Sequence, residues 1–337
     1  MARDGPGGRP DVTTARDPSF VAGLRAAIRG TVREAEPLAR HSTYRIGGPA
    51  TVLMPESAED VAMALRQATN AGVPWFALGL GSNLLFPDAG LDALVVRMGR
   101  GLDRLVQDGD RWTLGAGLPA PLAAKRTASA GWGGIHKMVG VPGTVGGGVV
   151  MNAGCHGVEW RDTVESILVV DAAGVDRVVP AAEAGFGYRR SDLGHVVVLE
   201  TTVALQAADP VRLEEETEAL YRWRRDGTPF NQPCCGSVFR NPVLPADWPE
   251  GHPRTSGQCI EATGLKGFRI GAVEVSPMHA NYFVNTGGGT AADVTALIAE
   301  VQRRVVERWG VTLVPEVKVL GVDGSVAGLS QVASRRS

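Results

Sequence analysis

The sequence predicts an α/β or α+β chain of two or three domains, and three observations predict it. A strand, a helix and a second strand follow one another early in the chain. Glycine clusters then interrupt the pattern where strands end. The 337 residues, finally, exceed what a single hydrophobic core usually serves.

Taken in order, residues 1–19 are rich in Gly, Pro, Arg and Asp without periodicity and are expected to be a disordered extension. Phe20, Leu24, Ala27 and Ile28 then fall at helical spacing. Thr43 to Ala50 is a glycine turn leading into a strand at Thr51 to Pro55. Ser57 with Asp60 at the N3 place comes close to a capping box, and the helix it opens turns Val61, Ala64, Leu65 and Ala68 inward until Gly72. Val73 to Leu78 reads as a buried strand. Ala93 to Met98 and Arg111 to Ala116 read as strands, and Pro119 to Ala130 as a helix closed by Gly131. Further strands are expected at Ser166 to Asp171 and Val196 to Leu205.

Near Asp209-Pro210 the character changes, and a charged helix from Leu213 to Arg225 marks a domain boundary. A helix at Gly257 to Gly264 and a strand at Ala272 to Val275 follow. Thr290 caps the longest helix, whose Val294, Leu297, Ile298, Val301, Val305 and Trp309 share one face until Gly310 ends it. Leu313 to Gly321 is the last strand, and residues 322–337 form a polar tail.

Two glycine clusters carry the first functional signal. Gly140 to Gly154 is so dense in glycine that a helix or strand there would lose roughly 0.5–1 kcal/mol at each one relative to alanine. Regular structure is therefore not expected, and the exposed backbone is read as a nest of N–H groups for a phosphate or pyrophosphate. The bland alternative is tight packing under a neighbouring strand. The second cluster, Gly79-Leu80-Gly81-Ser82-Asn83, sits at a strand end. Neither cluster has the spacing of a dinucleotide fingerprint or ends as a Walker loop does. Two nests without either motif point to one long ligand gripped from two sides.

Composition narrows the partners. A net charge of -2 leaves no electrostatic footprint for nucleic acid. No apolar run approaches a membrane span and no secretory leader opens the chain, so a cytoplasmic protein is expected. Cys155, Cys234, Cys235 and Cys259 lack metal-ligand spacing and are read as small buried hydrophobes, with no metal expected.

Six segments run in order along the chain: Arg45-Ile46-Gly47-Gly48, the Gly79 to Asn83 loop, Val141 to Gly147 with Met151-Asn152-Ala153-Gly154, Gly187-Tyr188-Arg189, Gly236 to Phe239 with Asn241-Pro242, and Pro315-Glu316-Val317. Together they resemble the UDP-N-acetylenolpyruvoylglucosamine reductase (MurB) family. The resemblance runs in the family's order from about residue 40 to residue 321. It implies an α+β, vanillyl-alcohol-oxidase/PCMH-type FAD-binding fold of two lobes over residues 20–209. It also implies an α+β substrate-binding domain over residues 210–321, whose last strand returns to the active site. The implied reaction uses NADPH to reduce FAD, and FAD to reduce an enolpyruvyl ether of a UDP-sugar to a lactyl ether for peptidoglycan. FAD would be held non-covalently by Arg45, Gly79, Gly81, Ser82, Asn83, Leu84, Pro142, Gly143, Thr144, Gly146, Gly147, Asn152, Gly154 and Val198. A monomer acting on a small molecule, without nucleic acid or membrane, is the expectation. The short spacing between Arg189 and Ser237 places the chain in the family's shorter branch.

The chemistry of the residues agrees. FAD carries a pyrophosphate and is long, which suits two separated nests. Hydride transfer belongs to the flavin, so the protein must orient substrate, meet developing negative charge and supply a proton. By resemblance, Arg189 is the cation that binds the substrate carboxylate through two bonds, Ser237 the proton donor and Glu316 the third catalytic group. Without the resemblance, these would read as a surface arginine, a loop serine bonding its own backbone and the solvent side of a strand. Tyr188 and Asn241 are implied substrate contacts, and Arg222, Arg224, Arg225, Lys266 and Arg269 are candidates for the diphosphate. Two other readings remain at this point: a different flavin oxidase acting on a sugar or alcohol, and a non-catalytic nucleotide-sugar sensor. Gly131 to Met138 is bulkier and more basic than the family pattern.

Overall fold

Asp17 and Ser57 start the first two helices as their side chains dictate. Asp17 accepts hydrogen bonds from the amides of Ser19 and Phe20 at the head of α1 (Pro18–Ala27), and Ser57 accepts from Asp60 at the head of α2 (Ala58–Asn70). Asp60 does not complete a capping box; its buried carboxylate takes the amides of Arg29, Gly30 and Glu56 and so fastens the entry loop. The structure is a computed structural model that describes residues 13–327. Order begins before residue 20, since Ala15 is buried and its carbonyl accepts from Thr51 Oγ1 at 2.6 Å. The expected N-terminal extension thus ends too late, and residues 1–12 lie outside the described chain.

Two sheets build the first part. One runs Thr31–Pro37, Pro49–Met54, Leu94–Arg97, Trp75–Leu78, its first pair antiparallel and the rest parallel. The other is antiparallel, in the order Asp176–Pro180, Val164–Val170, Val197–Ala204, Arg111–Gly115, Leu105–Asp108. One apolar cluster spans both, joining Leu24 of α1 and Leu65 of α2 to Leu94, Val169 and Val203. Helix α3 (Ala120–Ser129) adds Ala120 and Ala123 to it.

The central glycine stretch corrects the sequence reading. Val145–Val150 is a helix, α4, despite three consecutive glycines. Packing explains it: a Cβ on Gly146 would sit 2.8 Å from that of Ala116, and one on Gly148 would sit 2.3 Å from Trp160 Nε1. The helix lies too close to its neighbours for side chains there, and Thr144 caps it by accepting from Gly147.

Helix α5 (Pro210–Gly227) follows the predicted change of character, starting earlier than the apolar spacing suggested because Asp209 caps it before Pro210. Beyond it a second large cluster gathers α6 (Ser256–Ala262), the sheet Arg269–Ile270, Val273–Val275, Phe283–Asn285, and α7 (Ala291–Trp309). Thr290 and Asp293 form a capping box on α7, and Gly310 ends it at φ 67°.

The last strand is shorter than expected, Lys318–Leu320 only. The amides of Glu316 and Val317 both turn to the Val238 carbonyl, which draws Glu316 out of the strand and toward the Ser237 loop. Lys318–Leu320 pairs parallel with Leu84–Leu85, directly behind the first glycine loop. Val326–Ala327 pairs on its other edge, so the expected tail begins as a hairpin; residues 328–337 lie outside the described chain. Among the described residues no helix is long and apolar enough to cross a membrane.

Candidate active site

The first glycine loop is shaped by backbone contact. Gly81 has φ 62°, and a Cβ there would stand 2.3 Å from the His41 carbonyl oxygen; one on Gly79 would stand 2.6 Å from Thr144 Oγ1. The two glycine segments therefore touch. Ser82 Oγ donates to the Pro142 carbonyl at 3.0 Å, and Asn83 Nδ2 donates to the Glu316 carbonyl at 3.3 Å. One loop of five residues thus ties the α4 segment to the C-terminal part of the chain.

These segments wall a cavity of about 610 Å³, within the size range of cofactor sites. Both glycine clusters line it, together with Val196–Val198, Arg189, Arg224, Ser237, Glu316 and Lys318. Trp75 and His195, stacked at 3.7 Å between ring centroids, line it as well.

Arg189 is fixed from three sides. Its Nη2 donates to the Gly154 carbonyl at 3.1 Å, Nη1 lies 3.4 Å from Glu159 Oε1, and Nε lies 3.4 Å from Glu316 Oε1. The residue itself has φ 57°, a left-handed backbone in the tight turn from Gly187 to Arg190. Burial pushes the Glu316 carboxyl above the usual range, while Arg189, Arg240 and Lys318 pull it back. Burial likewise lowers Lys318, with Arg240 adding to it.

The comparisons with known proteins agree with this geometry. Residues 49–177 match the FAD binding domain model, and residues 228–320 match the UDP-N-acetylenolpyruvoylglucosamine reductase C-terminal domain. The reductase of Rubrobacter xylanophilus is 43% identical over 85% of this chain and 94% of its own. That of Halalkalibacterium halodurans is 37% identical over 90% and 98%. The chain belongs to the UDP-N-acetylenolpyruvoylglucosamine reductase family. A crystal structure of the MurB reductase from Thermus caldophilus has the same fold, with a TM-score of 0.71, 32% identity and coverage of 86% of this chain and 99% of that one. The fold is the two-lobed FAD-binding fold that the resemblance implied.

Most of the residues singled out in the sequence meet at the cavity of this family member. Gly79, Gly81, Ser82, Asn83, Leu84, Pro142, Gly143, Thr144, Gly146, Gly147, Gly154 and Val198 line it with Arg189, Ser237 and Glu316. Four lie elsewhere. Arg45 lines a second cavity of about 290 Å³ beside the first. Asn152 is buried and structural: it donates to Glu159 Oε2 and the Gly187 carbonyl and accepts from the Arg161 amide, which holds the turn carrying Arg189. Tyr188 is 51% exposed, with the Arg189 guanidinium 5.0 Å from its ring centroid. Asn241 accepts from the Ser256 amide at the start of α6, an exposed helix-end role.

Of the basic candidates, Arg224 lines the cavity, while Arg225, Lys266 and Arg269 pair with Asp226, Glu261 and Glu274 at the surface. Cys234, Cys235 and Cys259 are buried as expected, while Cys155 is only half-buried; Cys155 and Cys235 both line the cavity. Sequence reasoning missed Glu159 and Lys318. Glu159 carries no motif of its own, whereas Lys318 stands two residues after Glu316, within the strand expected over Leu313 to Gly321.

FAD fits this site. A Cβ on Gly147 would meet nothing nearer than Thr144 Oγ1 at 3.6 Å and one on Gly236 nothing nearer than the Ser82 carbonyl at 3.9 Å, so both glycines leave room along the cavity wall.

Proposed function

We propose that Arg189, Ser237 and Glu316 are the reacting groups of an NADPH- and FAD-dependent reductase acting on the enolpyruvyl ether of UDP-N-acetylglucosamine. The product is UDP-N-acetylmuramate, a precursor of peptidoglycan. The observation that carries the reading is the convergence of Arg189, Ser237 and Glu316 on one cavity with both glycine segments. The bound flavin supplies the hydride; the glycine face would hold it, with Gly143, Thr144 and Gly147 against it.

The side chains handle the charge and the proton. A hydride reaching the terminal carbon of the enolpyruvyl group drives electron density into its carboxylate. Arg189, already turned into the cavity, meets that charge with a planar guanidinium. Ser237 gives its proton to the carbon beside the carboxylate, a step open to a weak acid because an enolate is strongly basic. Glu316 sits where a bare carboxylate would oppose the enolate. Burial pushes its pKa up and Arg189, 3.4 Å away, pulls it back, so the carboxyl either carries a proton that it donates to the substrate carboxylate or is neutralised by the guanidinium. A flavin oxidase is disfavoured by Ser237 and Glu316, which serve enolate protonation and have no task in alcohol oxidation.

The half-reactions separate the roles. In Ser237→Ala, flavin reduction by NADPH is expected to keep its rate, while reoxidation by the enolpyruvyl sugar slows by roughly 10²–10⁴-fold. Stopped-flow absorbance of the flavin reads both. Equal slowing of the two would mean that Ser237 shapes the site and donates no proton.

A further inference from the structure

The match to the reductase C-terminal domain ends at residue 320, the last residue of the strand Lys318–Leu320. The turn and strand after it lie beyond that match and fold back as a hairpin. The Gly321 amide donates to the Ser325 carbonyl at 2.8 Å, and Asp323 Oδ1 accepts from the Ser325 amide at 3.0 Å and from its hydroxyl at 2.6 Å. Gly324 takes φ 77°, a left-handed position that suits glycine. Val326–Ala327 then pairs antiparallel with Val319 and Leu320.

The hairpin is docked on the first sheet. The Val322 carbonyl accepts from the Asp92 amide at 2.6 Å, and a Cβ on Gly324 would stand 3.2 Å from that of Ala93 and 3.9 Å from that of Phe76. Leu320 is 3% exposed and packs among Leu78, Phe86 and Val95. The hairpin therefore sits beside Trp75–Leu78, the edge strand of that sheet.

Docking there brings Val326 to the wall of the large cavity, together with Phe76, Leu84 and Lys318. Val326 is 52% exposed, and Phe76 and Leu84 are half-buried. A lone exposed valine on an outer surface needs no explanation, but one that faces a cavity beside two other apolar side chains is placed to meet an apolar part of a ligand. Val326 pairs with Leu320, two residues or about 7 Å of strand beyond Lys318 and farther still from Glu316. Along this wall a carboxyl, a cation and an apolar patch follow in turn. FAD presents its parts in a matching order, with the reacting ring first, the pyrophosphate next and the flat, uncharged adenine last.

We propose that the hairpin of residues 321–327 is a clamp on the cofactor, in which Val326 with Phe76 covers the adenine end of FAD and slows its loss. This rests on the reading of the cavity as a flavin site. The hairpin has no part in the hydride or proton steps, which take place at the other end of the wall.

The test uses the full chain stripped of flavin and titrated with FAD or with FMN, which lacks the adenosine, with flavin fluorescence as the readout. In Val326→Ala the dissociation constant for FAD is expected to rise about 5-fold, the effect of losing two half-exposed methyl groups from an apolar contact, while that for FMN stays unchanged. Gly324→Val forces a branched side chain into a left-handed position against Ala93 and so undocks the hairpin. It should weaken FAD by at least as much, again with FMN unchanged, and melts of the flavin-free protein check that both variants fold. If neither variant alters FAD affinity, the hairpin merely covers a sheet edge and the clamp is wrong. If FAD and FMN weaken alike, the adenosine is not what the hairpin holds, and the clamp is overturned too. A wild-type protein that binds neither flavin would sink the flavin reading itself, and the clamp with it.

Discussion

The two faces of the cavity offer different things. The face from Gly79 to Asn83 and Gly143 to Gly154 offers backbone and small side chains, and it is shaped by contacts too close for a Cβ. The face from Gly236 to Lys318 offers a hydroxyl, a carboxylate and a lysine. Arg189 bridges them, bonded to the Gly154 carbonyl on one side and 3.4 Å from Glu316 on the other. The difference teaches that binding a long cofactor and driving a reaction impose separate demands on sequence. The first face needs room for a backbone; the second needs particular functional groups. Damage to the first should cost fold and flavin, and damage to the second should cost only the substrate half-reaction.

The largest expected effect lies on the second face. Glu316→Ala should slow enolpyruvyl reduction severely with FAD retained, whereas Glu316→Gln, which keeps a neutral donor of the same size, should retain markedly more activity. Single-turnover reoxidation distinguishes them, and a Gln variant as slow as Ala would mean that the negative charge is used, to hold Arg189. The same carboxyl affects stability. Its folded pKa is raised by burial above the ordinary 4.5, so its contribution is fully present below that value and is lost as pH rises through the folded pKa. Thermal melts across that window should show a decline with pH that is smaller in Glu316→Gln.

On the first face, Gly148→Ala should destabilise by about 1–3 kcal/mol, the usual cost of overpacking, because its methyl would meet the buried Trp160. Urea melts of the apo-protein read this directly. A neutral result would show that α4 can shift and that its glycines serve the ligand alone.

The smallest effect concerns the tether. His195 is stacked flat on Trp75, and burial pushes the Cys155 and Cys235 thiols up, so neither cavity-lining thiol is an activated nucleophile. Acid precipitation should leave all FAD in the supernatant. Flavin in the pellet would identify one of them as a covalent anchor.

How much of this was legible follows from the same contrast. The glycine face announced itself in composition, since glycine at that density has few uses. Its helix did not: nothing in Val145 to Val150 tells that Gly146 and Gly148 serve packing against Ala116 and Trp160, because those partners are distant in sequence. The strongly periodic α7 was readable to its caps, whereas Thr31–Pro37, a charged edge strand with Ala35 at φ 48°, gave no alternation to read. On the second face, Arg189, Ser237 and Glu316 were legible only through the family pattern. Glu159 and Asn152, which hold Arg189 and its turn in place, became visible only once the chain was folded.

The central claim is that this cavity passes reducing equivalents from NADPH to an enolpyruvyl sugar. The most direct test reduces the holoenzyme with one equivalent of NADPH under strict anaerobiosis and then adds the UDP-N-acetylglucosamine enolpyruvyl ether. The account expects the oxidised flavin spectrum to return at once, with one UDP-N-acetylmuramate formed per flavin. A flavin that stays reduced until oxygen is admitted would contradict it.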